Sequence, residues 1–311
     1  MDTLDTRNAD SNNTCSHLFF IFIVMLCTTA RPCASHAKID KSEIYMVHWR
    51  KRSEVMKAPA LFLAHGSPML AIEDSAYTSF LTTLGKQMHP KAIVVFTAHW
   101  MTRQPTVSSI AGTYEMIYDF SGFPRELYEV TYAAQGSVEW AKRVQHQFKH
   151  VSPIVNVDET RGLDHGSWVL LSRLFPEANI PIIQASVVPW WTPKQLFQLG
   201  EALRPLRDEG VMILGSGGTV HNLMALRWDE QTKADSWAVA FDDWLLAQSS
   251  AQSEDVFHYE EKAPYAKQAV PTPEHLAPYW IAYGAGDRKE APRVLFRAYE
   301  YGSLSLMAVS F

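Results

Sequence analysis

Five histidines stand where an imidazole can do chemistry. His65 ends the apolar run Leu61-Phe62-Leu63-Ala64 and is followed by Gly66-Ser67-Pro68. His99 follows Ala92-Ile93-Val94-Val95-Phe96-Thr97-Ala98. His221 follows Val211-Met212-Ile213-Leu214 through Gly215-Ser216-Gly217-Gly218. Each run reads as a buried strand, and open α/β sheets carry their sites at the carboxyl edge. Neutral imidazole is the commonest ligand for zinc or iron, so three histidines at three strand ends predict a metal site. A single histidine is more often structural than ligating; it is the recurrence that carries the reading. His165 lies in Gly162-Leu163-Asp164-His165-Gly166-Ser167-Trp168. Glycines on both sides and a neighbouring carboxylate suit a mobile acid/base group oriented by Asp164; the blander reading makes Asp164 the cap of a following helix. His275, in Pro271-Thr272-Pro273-Glu274-His275, begins a helix, either as an exposed starting residue or as a ligand, with Glu274 an equally good ligand.

Other chemistries are poorly represented. Of the twelve histidines, His89, His146, His150 and His258 sit among polar neighbours and read as surface residues. The glycine loop at 215–218 lacks a following Gly-Lys-Ser/Thr and the Gly-x-Gly-x-x-Gly spacing, so it reads as a place of close backbone approach and not as a phosphate cradle. There is no Gly-x-Ser-x-Gly elbow and no His-Glu-x-x-His. The three cysteines, Cys15, Cys27 and Cys33, all lie in the first 33 residues, ahead of the five candidate histidines, which leaves His, Asp and Glu as the only metal ligands. A formal charge of -5 gives no reason to expect nucleic acid. Nothing in the chain specifies an oligomeric state.

The elements that must position these residues alternate in the manner of a single α/β domain over residues 57–311. Ser75 to Gly85 reads as a helix with Phe80 and Leu84 on one face, and Lys91 to Ala98 as the second strand. Thr113 to Tyr132, rich in Tyr and Phe and broken by Gly122 and Pro124, reads as a long functional loop. Ser137 caps a helix carrying Trp140, Val144 and Phe148. Ile180 to Val188 is a strand. Thr192-Pro193 opens a helix with Leu196, Leu199, Leu203 and Leu206 on its apolar face and a bend at Pro205. Trp237, Phe241, Trp244 and Leu245 mark another helix, and Ser303 to Phe311 a last strand or sheet edge.

Residues 1–56 read as an N-terminal extension outside this domain. Leu18 to Leu26 is apolar but too short to span a bilayer. It is either a signal-peptide core with Ala34-Ser35-His36-Ala37 as cleavage site, or untranslated sequence upstream of a start at Met46 or Met56. The acidic flank Asp2, Asp5 and Asp10 is wrong for a signal peptide. An export signal would make the protein periplasmic or secreted; a later start would make it cytoplasmic. The folded domain has no reason to enter a membrane.

The motifs resemble those of the class III extradiol ring-cleavage dioxygenases, the subunit-B family of protocatechuate 4,5-dioxygenase, and within it the DOPA 4,5-dioxygenase branch. The matching stretches are Leu63-Ala64-His65-Gly66-Ser67-Pro68, Thr97-Ala98-His99-Trp100, Tyr118-Asp119-Phe120-Ser121-Gly122-Phe123-Pro124 with Leu127-Tyr128, Gly162 to Trp168, Gly215-Ser216-Gly217 with His221-Asn222-Leu223, Pro273-Glu274-His275, and Gly302-Ser303-Leu304-Ser305. The resemblance implies a three-layer α/β/α domain around a mostly parallel or mixed sheet, with one metal, Zn2+ or Fe2+, per chain. It implies His65, His99 and His221 as ligands with His275 beside or on the metal. In better-known members a carboxylate stands at the His275 position and the histidine at the His221 position acts as a base. The family's Tyr-Pro-Ala-Pro-Gly is here Tyr132-Ala133-Ala134-Gln135-Gly136, which alters the expected pocket wall.

The expected partners are therefore a DOPA-like catechol and O2, and the expected product is a muconic semialdehyde. His165 would move the catechol proton, with His221 as a second catalytic residue. Tyr118, Phe123 and Tyr128 would hold the ring. A zinc hydrolase using the same histidines, or a non-enzymatic protein on the same fold, are the alternatives; oxygen consumption separates the first and tight metal binding the second.

Overall fold

The computed structural model describes residues 57–227 and 233–311, so the expectations for the N-terminal extension lie outside the described residues. In chain order the elements are β1 (Ala60–Ala64), α1 (Ala76–Gly85), β2 (Ala92–Met101), β3 (Thr106–Ser108), α2 (Val138–Phe148), β4 (Asn156–Asp158), α3 (His165–Leu174), β5 (Ile182–Val187) and α4 (Pro193–Ala202). There follow α5 (Arg204–Asp208), β6 (Val211–Gly217), α6 (Ser236–Ser250), α7 (Tyr259–Lys262), α8 (Ala266–Ala269), α9 (Ala277–Ala285), β7 (Arg293–Glu300) and β8 (Leu304–Ser310). Among the described residues one eight-stranded sheet runs in the order β4-β3-β5-β2-β6-β1-β8-β7.

The four central strands, β5, β2, β6 and β1, are mutually parallel, while β8 joins β1, and β3 joins β5, antiparallel. The sheet is therefore mixed with a parallel centre, as expected. Side chains alternate across it. Phe62, Val94, Phe96, Ile183 and Ile213 point into the core shared with α4, α6 and α9, while Leu61, Leu63, Ile93, Val95 and Leu214 point into the core shared with α1 and α3. That double burial makes the three layers, and it explains why these strands read as continuous apolar runs without polar alternation. Each fully buried Leu, Ile or Phe contributes about 1.5–3 kcal/mol, enough to hold the register of the central strands rigidly.

The caps at Ser137 and Thr192 fall where the sequence puts them, and Ser75, read as the first helical residue, is the cap of α1. Ser75 and Thr192 close capping boxes with Thr78 and Gln195, and Ser137 accepts from the Trp140 N–H. Two readings change. Strand β2 runs past Ala98 to Met101, so His99 lies within the strand and not after it; pairing with β5 resumes at Met101–Val187 after an irregularity beyond Thr97. Pro205 does not bend one helix: α4 ends at Ala202, and Pro205 sits at the start of a separate α5, where a missing N–H costs nothing. Strand β7 and the full extent of α9 carry no clear sequence signal. Strand β7 (RVLFRAYE) is an edge strand with charges at both ends, and α9 (APYWIAYGA) is buried all round, so neither shows the periodicity of a half-buried element.

Helix α9 starts just after His275 and is pinned from behind by α4. A methyl group on Gly200 would stand 2.0 Å from the Ile281 carbonyl oxygen, and one on Gly284 1.9 Å from that of Phe197. Only glycine permits this crossing. Gly200→Ala must part the helices, a cost of about 1–3 kcal/mol, and is expected to lower Tm by several degrees in a thermal melt; an unchanged Tm would show that the helices do not cross this closely.

Candidate metal centre

Parallel strands place their carboxyl ends on one edge, so His65 after β1, His99 near the end of β2 and His221 beyond β6 come together there. His275 reaches them from the turn at Pro273–His275, and His165 from the first turn of α3. One ring nitrogen from each of His65, His99 and His275 lies within 4.8 Å of the others. His221 is not in that triad; its ring stacks on His275, with centroids 3.5 Å apart and planes 6° apart. His165 stands 4.0 Å from the His99 ring, centroid to centroid. The Gly215–Gly218 stretch permits the close approach read from it: a methyl on Gly217 would fall 2.1 Å from the His275 carbonyl oxygen, which instead accepts the Gly218 N–H at 2.8 Å.

The tautomers follow from the hydrogen bonds. Ser216 Oγ donates to the Gly166 carbonyl, so toward His65 it accepts, from Nδ1–H at 3.0 Å. His275 Nδ1–H donates to Glu274 Oε1 at 2.9 Å, and His99 Nδ1 faces Asp119 Oδ2 at 3.5 Å. With each Nδ1 proton so committed, the Nε2 lone pairs turn inward. Those of His65 and His99 face each other at 3.1 Å, and His275 Nε2 is buried without a hydrogen-bond partner. Inward lone pairs without donors repel, unless a cation lies among them.

Electrostatics agree. Burial, then the neighbouring imidazoles, push His65 and His275 well below the usual histidine range; burial and then His165 do the same to His99. Burial, then His165, lowers His221 to about 4. Rings kept neutral are rings ready to ligate. The donor set thus fits a metal ion, with His65, His99 and His275 as the residues that would hold it. Glu274, the alternative ligand, spends Oε1 on His275 and on the Thr272 hydroxyl (2.7 Å), behind the ring and not in front of it.

The expectation for Asp164 is corrected. Asp164 does not orient His165: it is wholly buried as the cap of α3, accepting from the Ser167 N–H and from the Thr97 hydroxyl at 2.8 Å and pairing with Arg161 at 2.9 Å. Adjacent residues at a helix start point apart, so chain proximity misleads. The orienting carboxylate is Asp119, whose Oδ1 accepts from His165 Nδ1 at 2.8 Å and from its backbone N–H at 3.0 Å. Burial alone would raise Asp119, but the hydrogen bonds from the His165 ring and backbone N–H, with the electrostatic influence of the His165 and His99 rings, outweigh it and hold the carboxyl well below its ordinary value. An acid set between Tyr118 and Phe120 in the aromatic loop is the signal in the sequence.

The aromatic loop lies on the His165 side. Phe120 meets the His165 ring edge-on at 5.7 Å, and Phe123 and Tyr128 pack on Phe120 at 5.4 and 5.1 Å. Tyr118 packs on Trp168, its hydroxyl donating to the Val130 carbonyl at 2.7 Å. Tyr118, Phe123 and Tyr128 thus gather in one cluster, with Phe120 as the ring between them and the imidazoles.

Because Asp119 braces both His99 and His165, Asp119→Asn is expected to weaken metal affinity by about tenfold or more, measured by chelator competition. Unchanged affinity would limit Asp119 to His165 alone.

Comparison with known proteins agrees with this geometry. Residues 59–309 match the model of the catalytic LigB subunit of aromatic ring-opening dioxygenase. The chain is 41% identical over 256 residues to a protein of Beta vulgaris named 4,5-DOPA dioxygenase extradiol, covering 80% of this chain and 95% of that one. A protein of the same name from Escherichia coli K12 is 37% identical, covering 81% and 94%. A crystal structure of an uncharacterized protein from Escherichia coli K12 superimposes with a TM-score of 0.70 at 32% identity, covering 82% of this chain and 99% of that one. A metal ion is implied by these matches as well as by the inward-facing imidazoles, and the chain belongs to the LigB family of aromatic ring-opening dioxygenases.

Proposed function

We propose that the protein opens the ring of a catechol of the DOPA type next to its diol, with Fe2+ held by His65, His99 and His275. The observation that carries this reading is one ring nitrogen from each of His65, His99 and His275 within 4.8 Å of the others, beside an imidazole, His165, whose Nδ1 is held by a carboxylate. An all-imidazole set also suits Zn2+. Ring opening by O2 selects iron, because when bound Fe2+ supplies the open positions and redox chemistry the reaction needs.

The chain's own residues supply the rest. His165 donates from Nδ1 to Asp119, so its Nε2 accepts the proton of a catechol hydroxyl, and the Asp119 carboxylate stabilises the imidazolium that results. His221, neutral and stacked on His275, is the second group at hand to take or return a proton. Phe120 lines the ring side of His165, backed by Tyr118, Phe123 and Tyr128, and this aromatic wall stacks on the substrate and keeps water from the reacting centre. The carbon–carbon bond beside the diol breaks, and both atoms of O2 end in the product, a muconic semialdehyde bearing a new carboxylate. The DOPA assignment is supported by the names of the relatives at 37–41% identity.

Anaerobic loading with Fe2+ followed by L-DOPA, caffeate or catechol in air is expected to give a yellow product with one O2 consumed per ring. Hydrolysis by the zinc-loaded protein without oxygen uptake would replace this reading. His165→Ala is expected to retain iron, by elemental analysis, while losing about 10²–10⁴-fold in kcat; loss of iron would instead make His165 a ligand.

A further inference from the structure

The motif Gly302-Ser303-Leu304-Ser305 takes no part in the site above, yet it lies against the segment that carries His221. Ser305, buried near the start of β8, bonds in two directions. Its Oγ donates to Asp242 Oδ2 at 2.7 Å, and its N–H donates at 3.2 Å to the carbonyl of Val220, the residue before His221. Asp242 is wholly buried on α6 and also accepts from the Tyr299 hydroxyl at 2.7 Å. That hydroxyl in turn accepts from Arg297 Nη2 at 2.7 Å, and Arg297 is anchored on Asp243 at 2.6 Å. Thr219, two residues before His221, is the carboxylate's other neighbour. Burial pushes Asp242 up, and the Thr219, Ser305 and Tyr299 hydroxyls draw it back. Thr219 Oγ1 and Asp242 Oδ1 each lack a partner at hydrogen-bond distance, so the bonded connection from Asp242 to the segment before His221 is the one through Ser305, with Thr219 close to the carboxylate beside it.

A buried carboxylate is a costly way to join a helix to a hairpin, since well-packed apolar residues do so as well or better. What it adds is direction. Asp242 fixes the Ser305 side chain, the Ser305 N–H fixes the Val220 carbonyl, and the next residue bears the ring stacked on His275. On the far side of that ring's backbone, the His221 N–H donates to the Ala269 carbonyl at 3.0 Å. The segment is thereby held from two sides.

We infer that Asp242, acting through Ser305, is a positioning residue that holds the backbone before His221 and so sets the His221 ring against His275. The inference rests on His221 taking part in the reaction proposed above.

The test uses the full-length chain, zinc-loaded for histidine-selective nitrogen NMR and Fe2+-loaded for kinetics. In Ser305→Ala the ring resonances of His221, assigned with His221→Gln, are expected to move while those of His65 and His99 stay. The kcat on the catechol should fall about tenfold with KM and metal content unchanged. Ser305→Thr, which keeps a hydroxyl, should restore both. If Ser305→Ala does not fold, Asp242→Leu, which removes both acceptor oxygens at similar size, carries the same expectation. Unmoved His221 resonances in either folded variant would overturn the inference, as would a shift of all the site histidines together with a lowered Tm, the mark of a generally loosened fold. Should the parent open no catechol, the proposed reaction fails, while the spectra still decide whether Asp242 places His221.

Discussion

The structure depends on an electrostatic constraint: several imidazoles are buried close together and must all remain neutral. Two Nε2 lone pairs facing each other at 3.1 Å, with a third buried and unpartnered, are unfavourable as they stand and favourable around a cation. Much of the surrounding chemistry keeps the protons on the outer nitrogens. Ser216, Asp119 and Glu274 each face an Nδ1, and they come from β6, the aromatic loop and the turn before α9. Metal-binding histidines commonly need such partners to fix tautomer and ring orientation, and here each ring has its own.

That constraint explains the architecture around it. Parallel pairing of β1, β6 and β2 gives three strands whose ends share an edge, and their burial on both faces leaves the register no freedom to slip. Gly217 lets the His275 backbone approach the strand end, and the α4–α9 crossing, made possible by Gly200 and Gly284, holds the following helix from the other side. Imidazoles so placed would need little rearrangement to bind a metal, because their positions are set by the core.

Asp119 and Asp164 show how two carboxylates near one site divide their work. Asp164 is sequence-adjacent to His165 but serves α3 and Arg161. Asp119, 46 positions away, is the one hydrogen-bonded to the imidazole. The first is pushed up by burial and then by Asp119 itself; the second is held down by the histidines it accepts from. Asp119 also ties the aromatic loop to the metal-facing edge, since Tyr118 and Phe120 flank it in the chain and Phe120 meets His165. One residue thereby links the aromatic loop to the His165 imidazole.

The sequence by itself determined the layered α/β fold, the caps at Ser137 and Thr192, and the family, because buried strands, capping residues and short contiguous motifs are local signals. It also marked His65, His99 and His221 as chemistry at the ends of apolar runs, with His165 and His275 beside them. What it could not determine was which side chains face one another. The stacking of His221 on His275, the inward turn of each Nε2, the choice of Asp119 over Asp164 and the network from Asp242 to Ser305 join residues far apart in the chain. Such contacts arise only when strands pair and helices pack, since ring orientation depends on a partner that the neighbouring residues do not supply. The same reason hid β7 and the extent of α9: an edge strand with charged ends and a helix buried all round carry no periodic pattern until the elements that cover them are in place.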